Sequence, residues 1–134
     1  MTDDTAKKIL VVDDDKSLVE MIRLKLMSEG YKVFTSYNGS DALEQAKAKK
    51  PDLILLDIMM PKMDGAQMEK ELRAFKETEG IPVIFITCTI DKKQAAAMDH
   101  KLGKHLVVAK PFDGKELLAA IDNVLNDKQQ SPEA

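Results

Sequence analysis

Five short segments of this chain are apolar over consecutive positions and rich in β-branched and aliphatic residues. Runs of this kind are typical of strands that are covered on both faces, as in a parallel sheet. Longer and more polar segments separate them, which leaves room for a helix after each strand. We therefore predict strands at residues 9–12, 33–37, 53–56, 83–87 and 106–109.

Apolar residues at helical spacing occupy the segments between these strands. Leu18, Ile22 and Leu26 recur every fourth residue, and Gly30 follows as a residue suited to the end of a helix. The alanine-rich residues 92–102 favour a helix whatever they pack against. The other helices are predicted at residues 40–49, around Met68, Leu72 and Phe75 before Gly80, and around Leu117, Ile121 and Leu125 after a capping box of Asp113 and Glu116.

The alternation of strands and helices predicts the fold class. Crossovers between parallel strands are right-handed, so five strand–helix repeats form a (βα)5 doubly wound α/β fold with helices on both faces of the sheet. We expect a parallel five-stranded sheet in the order 2-1-3-4-5, a flavodoxin-like arrangement. The first and third strands are then neighbours at the switch point, where such sheets bind their ligands.

Length and composition fit one soluble domain. The chain has 134 residues, 44% hydrophobic and 32% charged, and its net charge of −3 without a basic stripe argues against direct binding to nucleic acid. A single cysteine, a polar N-terminus and no apolar stretch near the ~20 residues of a membrane span favour the cytoplasm. We expect a domain at residues 7–126, with flexible ends at 1–6 and 127–134.

Residues that can handle phosphate or a divalent cation follow the predicted strands. Asp13 and Asp14 follow the first strand, Asp57 the third and Lys110 the fifth, while Thr87 places a hydroxyl at the end of the fourth. Clustered carboxylates repel one another unless a cation compensates, and oxygen ligands without histidine or thiol favour Mg²⁺. A carboxylate beside such an ion can attack phosphorus, and the lysine can pair with a phosphoryl oxygen.

Four fragments at these strand ends together resemble the receiver domain of bacterial two-component response regulators, the CheY-like proteins. They are Ile-Leu-Val-Val-Asp-Asp-Asp at 9–15, Asp-Ile-Met-Met-Pro-Lys-Met-Asp-Gly at 57–65, Pro-Val-Ile-Phe-Ile-Thr at 82–87 and Lys-Pro-Phe at 110–112. Each fragment is weak evidence alone, but four in this order at strand ends are specific. The resemblance extends over residues 7–126.

The resemblance implies a phosphorelay role for the matching residues. Asp57 matches the phosphoacceptor, which forms an aspartyl phosphate, and Asp13 and Asp14 match the acids that bind Mg²⁺ with Asp57 and the backbone carbonyl of Met59. Thr87 matches the hydroxyl that moves toward the phosphoryl group. Lys110 matches the cation that pairs with it. The competing structural interpretation of the acids is that one of them, with Asp15 best placed, caps the following helix.

The same resemblance implies a signalling partner on each side of the reaction. A sensor histidine kinase or a phosphotransfer protein supplies the phosphoryl group. An output partner or a second copy of the chain reads the face formed by the fourth helix, fifth strand and fifth helix of the predicted order. Neither nucleic acid nor membrane is contacted directly, and the domain is not an enzyme beyond catalysing its own phosphorylation and slow dephosphorylation.

The chain departs from the usual receiver pattern in three ways. Val107 stands where an aromatic residue often serves as a rotamer switch, so switching by that route is excluded. Cys88 is larger than the usual residue after the hydroxyl. Met59 and Thr89 offer neither an amide nor a carboxylate to orient water, which predicts slow loss of the phosphoryl group.

Three other functions are compatible with parts of the pattern. A small Mg²⁺-dependent phosphatase with an aspartyl-phosphate intermediate usually carries an acid two residues after the nucleophile, where this chain has Met59. A flavodoxin-like cofactor binder shares the fold, but the acids oppose an anionic flavin phosphate. A docking module that works without phosphorylation would not need the complete set of acids, hydroxyl and lysine.

Overall fold

A computed structural model describes residues 6–57, 65–87, 106–109 and 114–130 of the chain. The helix predicted at 92–102, the N-terminal residues 1–5 and Asp113 lie outside these ranges. The last helix, fifth in the predicted order, is therefore the fourth helix described and is labelled α4. The elements are β1 (Lys8–Val12), α1 (Lys16–Ser28), β2 (Lys32–Ser36), α2 (Gly39–Lys49), β3 (Leu53–Asp57), α3 (Gly65–Ala74), β4 (Val83–Thr87), β5 (Leu106–Ala109) and α4 (Gly114–Gln130).

The five strands form one parallel sheet in the order β2-β1-β3-β4-β5. The predicted doubly wound fold class and strand order are confirmed. Central β3 is buried along its whole length, which explains why its sequence is apolar without alternation. β1 and β3 are neighbours, so the segments that follow them leave the sheet side by side.

Two hydrophobic layers cover the faces of the sheet. Successive strand residues point to opposite faces, so each strand contributes to both layers. Leu10, Ile54 and Phe85 belong to the layer that also contains Ala42 of α2 and Met68 of α3. The opposite layer joins the alternate strand residues to the buried faces of α1 and α4, and includes Ile9, Leu55, Ile84, Ile22, Leu26, Leu117 and Ile121.

α1 ends at Ser28, just before Gly30, as the sequence predicted. Gly30 has a φ of 95°, a left-handed conformation that glycine adopts without steric cost. The amide of Gly30 donates to the carbonyl of Met27, and that of Tyr31 donates to the carbonyl of Leu26. This pair of bonds is a Schellman motif, which satisfies carbonyls left free at the helix end.

The end of α3 differs from the prediction. The helix stops at Ala74, so Gly80 is not at its terminus. Buried Thr78 donates its hydroxyl to the carbonyl of Leu72 at 2.6 Å. The guanidinium of Arg73 donates to the carbonyls of Thr78 and Glu79. The Thr78 side chain therefore satisfies a carbonyl in the last turn of α3 without a glycine there, and Arg73 holds the loop that follows.

The C-terminal helix α4 continues to Gln130, past the boundary of 126 expected for the domain. Residues 127–130 are polar but contain neither glycine nor proline, so nothing in their backbone stops the helix. None of the helices in the described ranges is long and apolar enough to span a membrane.

Tyr31 joins the start of β2 to α4 and gives a prediction for alkaline stability. Burial, and then the charge of Asp122, raises the pKa of Tyr31, whose hydroxyl donates to Oδ1 of Asp122 at 3.5 Å. Because the folded-state pKa lies above the unfolded value of about 10, this contribution is complete below about pH 10 and is lost as pH rises through the folded pKa. As pH rises above about 10, the free energy of unfolding measured in urea should therefore fall less in Tyr31→Phe than in the parent. An equal fall in both proteins would contradict this.

Candidate functional site

The candidate site lies at the edge of the sheet where the parallel strands end. Val12 of β1 pairs with Leu56 of β3, so the next residues, Asp13 and Asp57, come at matching heights on neighbouring strands. Asp14 follows at once in the loop that leads to α1. The strand order and register therefore bring together acids that lie more than forty residues apart in the sequence.

Three of the predicted carboxylates form one cluster. One carboxylate oxygen from each of Asp13, Asp14 and Asp57 lies within 4.8 Å of the others. Asp13 and Asp57 are 0% and 2% exposed, whereas Asp14 is exposed. The cluster thus has a buried floor and one side open to solvent.

This donor set fits a hard divalent cation. Two unit charges at such a separation repel by up to roughly 3 kcal/mol at an effective dielectric constant of ~20, so burying them together requires compensation. The donors are carboxylate oxygens, with no histidine or thiol among the clustered groups of the described residues. Oxygen donors with an open side suit Mg²⁺, which keeps several waters in its coordination shell.

The loop between β1 and α1 holds Asp13 in place. Oδ1 of Asp13 accepts a hydrogen bond from the backbone amide of Asp15 at 3.0 Å. The Asp15 carboxylate in turn accepts from the amide of Leu18 at 3.1 Å and is the N-cap of α1. The predicted capping role of Asp15 is confirmed, and the same turn orients one oxygen of Asp13.

A second loop, between β2 and α2, holds the backbone of Asp13. The amide of Asp13 donates to the carbonyl of Ser36 at 3.1 Å. Ser36 is buried, and its hydroxyl donates to the carbonyl of Asn38 at 3.0 Å. Asn38 is the N-cap of α2, with its side chain accepting from the amide of Asp41 at 2.8 Å. Sequence reasoning missed Ser36, although a hydroxyl near the end of an apolar strand was a usable signal.

The remaining predicted site residues lie wholly or partly outside the described structure. The backbone of Thr87 ends β4 and pairs with Ala109 of β5, but its side chain is not among those described. Lys110 and Met59 lie outside the described residues, as does Cys88. Their roles stay predictions from the sequence.

Comparisons with known proteins agree on one family. The family model described as Response regulator receiver domain matches residues 9–122. The alkaline phosphatase synthesis transcriptional regulatory protein PhoP of Bacillus subtilis is 39% identical over 119 residues, which are 89% of this chain and 48% of that protein. The chain thus spans about half the length of this curated relative.

Solved structures give the same answer for the fold. The chemotaxis protein CheY4 of Vibrio cholerae superposes with a TM-score of 0.81 at 29% identity, over 90% of this chain and 99% of that one. The receiver domain of the Francisella response regulator 1452 superposes with a TM-score of 0.78 at 31% identity, over 92% and 99% of the two chains.

Proposed function

The chain belongs to the response regulator receiver domain family, and on that premise we propose that Asp57 accepts a phosphoryl group in a Mg²⁺-dependent reaction. Receiver domains are signalling modules, and phosphoryl acceptance followed by a conformational switch is the standard function of the family. The observation that carries the proposal for this chain is the convergence of Asp13, Asp14 and Asp57 at one end of the sheet.

The acids of the site have different roles. One oxygen of Asp13 is held by the amide of Asp15, which suits a ligand that keeps its place throughout the reaction. Asp13, Asp14, Asp57 and the backbone carbonyl of Met59 would hold Mg²⁺. When bound, the ion neutralises the clustered charge and lets an anionic phosphoryl group approach.

Asp57 acts as the nucleophile. An oxygen of its carboxylate attacks phosphorus, and a P–O bond forms as the P–N bond to the donor's imidazole breaks. The donor's imidazole carries a proton on its other nitrogen, so it takes the electron pair of that bond and leaves as a neutral ring, and Asp57 becomes an acyl phosphate. Lys110 pairs with a phosphoryl oxygen through its ammonium group, and the hydroxyl of Thr87 donates to another.

The phosphoryl group then shifts a conformational equilibrium. Movement of Thr87 toward this group would bias two packings of the face that the helix predicted at residues 92–102 is expected to form with β5 and α4. An output partner or a second copy of the chain reads that face. Because Val107 is not aromatic, switching proceeds without the rotamer change of an aromatic side chain at this position.

The donor is a histidine kinase or a phosphotransfer protein, the partners that receiver domains of this family use. The name of the Bacillus subtilis relative describes a transcriptional regulator, and this chain covers about half of it. We extend from that relative only the receiver's part, which is to control an output according to its phosphorylation. The domain turns over no external substrate. Because the sequence has Met59 and Thr89 where an amide or a carboxylate would orient water, we expect slow loss of the phosphoryl group.

Incubation with acetyl phosphate tests the proposed function and its metal dependence together. We expect one phosphoryl group per chain in Mg²⁺, labile to hydroxylamine as an acyl phosphate is, and no incorporation when EDTA removes the ion. Intact mass spectrometry measures the stoichiometry. Incorporation that is unchanged in EDTA would contradict the metal's role. Steady release of phosphate from a small phosphoester would instead show a phosphatase.

A further inference from the structure

Ser36 lies between the candidate metal site and the start of α2, in a turn that the proposed chemistry does not use. It is a polar residue buried to 1% exposure at the end of β2. Its carbonyl accepts one hydrogen bond and its hydroxyl donates another. The carbonyl accepts from the amide of Asp13, and the hydroxyl donates to the carbonyl of Asn38.

These bonds form a continuous chain on the α2 side of Asp13. The carbonyl of Asn38 accepts from the hydroxyl of Ser36 and from the amide of Ala42 in the first turn of α2. The carboxamide of Asn38 also fixes this turn by accepting from the amide of Asp41. The hydroxyl of Ser36 therefore ties the end of β2 to the capped terminus of α2.

A second chain reaches Asp13 from α1. The N-cap residue Asp15 donates its amide to Oδ1 of Asp13, and its carboxylate accepts from the amide of Leu18. Asp13 is thus held at its backbone from one helix terminus and at its carboxylate from another. In the first chain, the bonds that depend on a side chain of β2 are those between the Ser36 hydroxyl and the backbone of Asn38.

We propose that Ser36 is a positioning residue for Asp13, which fixes the backbone of this carboxylate so that its oxygen points into the cation site. The inference rests on the proposed function. Residues that orient a metal ligand set the affinity for the ion without touching it, because a ligand that must be ordered on binding binds more weakly. Without the Ser36 hydroxyl, the turn loses its anchor on α2 and the carbonyl that holds Asp13 gains freedom.

The test compares the Mg²⁺ affinity of the parent with that of Ser36→Ala. Amide shifts of residues 14 and 15, followed by NMR during a Mg²⁺ titration, report binding without any phosphodonor. We expect Ser36→Ala to bind Mg²⁺ about three- to tenfold more weakly. We also expect the amide of Asp13 to exchange faster with solvent, since its acceptor is less firmly held.

Thr78→Val is the matched control. Thr78 is also buried and also donates its hydroxyl to a backbone carbonyl, but it does so in the loop before β4, at the opposite edge of the sheet. Both variants should lower the thermal stability of the protein. Only Ser36→Ala should lower the Mg²⁺ affinity, so the comparison separates positioning from general destabilisation.

Asn38 provides an independent route to the same question. Asn38→Ala removes the cap of α2 and should weaken Mg²⁺ binding in the same direction, whereas Asn38→Ser retains a good capping residue and should restore it. This pair carries the test if Ser36→Ala does not fold.

The outcomes distinguish the inference from the proposed function. If the parent and Ser36→Ala bind Mg²⁺ with the same affinity, Ser36 has a structural role only and the inference fails. If Ser36→Ala does not fold, the parent's affinity in Asn38→Ala has the same meaning. If the parent itself shows no Mg²⁺-dependent shifts at residues 14 and 15, the proposed metal site fails and the inference fails with it.

Discussion

Asp57→Asn is expected to reduce phosphorylation by acetyl phosphate in Mg²⁺ by at least about a thousandfold, because a neutral carboxamide is not a nucleophile toward phosphorus. The substitution preserves the size of a side chain that is 2% exposed at the end of β3, so the fold should persist. Intact mass spectrometry over a time course measures the loss.

Asp52→Asn is the matched control for this variant. Asp52 lies just before the same strand, and its Oδ2 accepts from the amide of Lys8 at 2.8 Å at the opposite edge of the sheet. An asparagine oxygen can still accept that bond, so Asp52→Asn should be phosphorylated at the parent's rate. Full labelling of Asp57→Asn would place the acceptor on another residue and contradict the account.

Asp13→Asn is expected to change metal affinity and stability in opposite directions. It replaces a buried carboxylate by a neutral group of the same shape, whose oxygen can still accept from the amide of Asp15. Losing a charged ligand should weaken Mg²⁺ binding by about ten- to a hundredfold or more. In EDTA the same change removes repulsion from Asp57, which should raise the free energy of unfolding by about 1–3 kcal/mol.

Urea denaturation of Asp13→Asn and the parent, with EDTA and with saturating Mg²⁺, measures this reversal. The ion should stabilise the parent, since it binds only the folded chain, and should stabilise the variant much less. Asp52→Asn again serves as control and should respond to Mg²⁺ as the parent does. A variant that is less stable than the parent in EDTA would show that the carboxylates do not repel one another in the folded protein.

The strand order was predictable because it depends on periodicity and chain connectivity. Consecutive apolar residues identify covered strands, and right-handed crossovers leave few ways to order them. The limits of the elements were less secure. β2 begins at Lys32 and ends at Ser36, one residue earlier at each end than predicted, because pairing with β1 sets the register and apolar character does not.

The convergence of the acids followed from the same topology, since neighbouring parallel strands bring their ends together. The hydrogen bonds and backbone conformations around the acids could not be predicted in this way. Individual hydrogen bonds and backbone angles do not appear in the periodicity of a sequence. This applies to the hydroxyl bonds of Ser36 and Thr78 and to the left-handed backbone of Lys50 at the end of α2. The buried face of α1 shows the same limit, because Val19 is buried with Ile22 and Leu26, whereas Leu18 is only partly covered.

The central claim is that Asp13, Asp14 and Asp57 share one divalent cation. Crystals soaked in Mn²⁺, with diffraction recorded at a wavelength where manganese scatters anomalously, test it most directly. We expect a single strong anomalous peak within about 2.5 Å of carboxylate oxygens of Asp13 and Asp57, on the side open to Asp14. A peak elsewhere on the protein, or none at this cluster at saturating Mn²⁺, would contradict it.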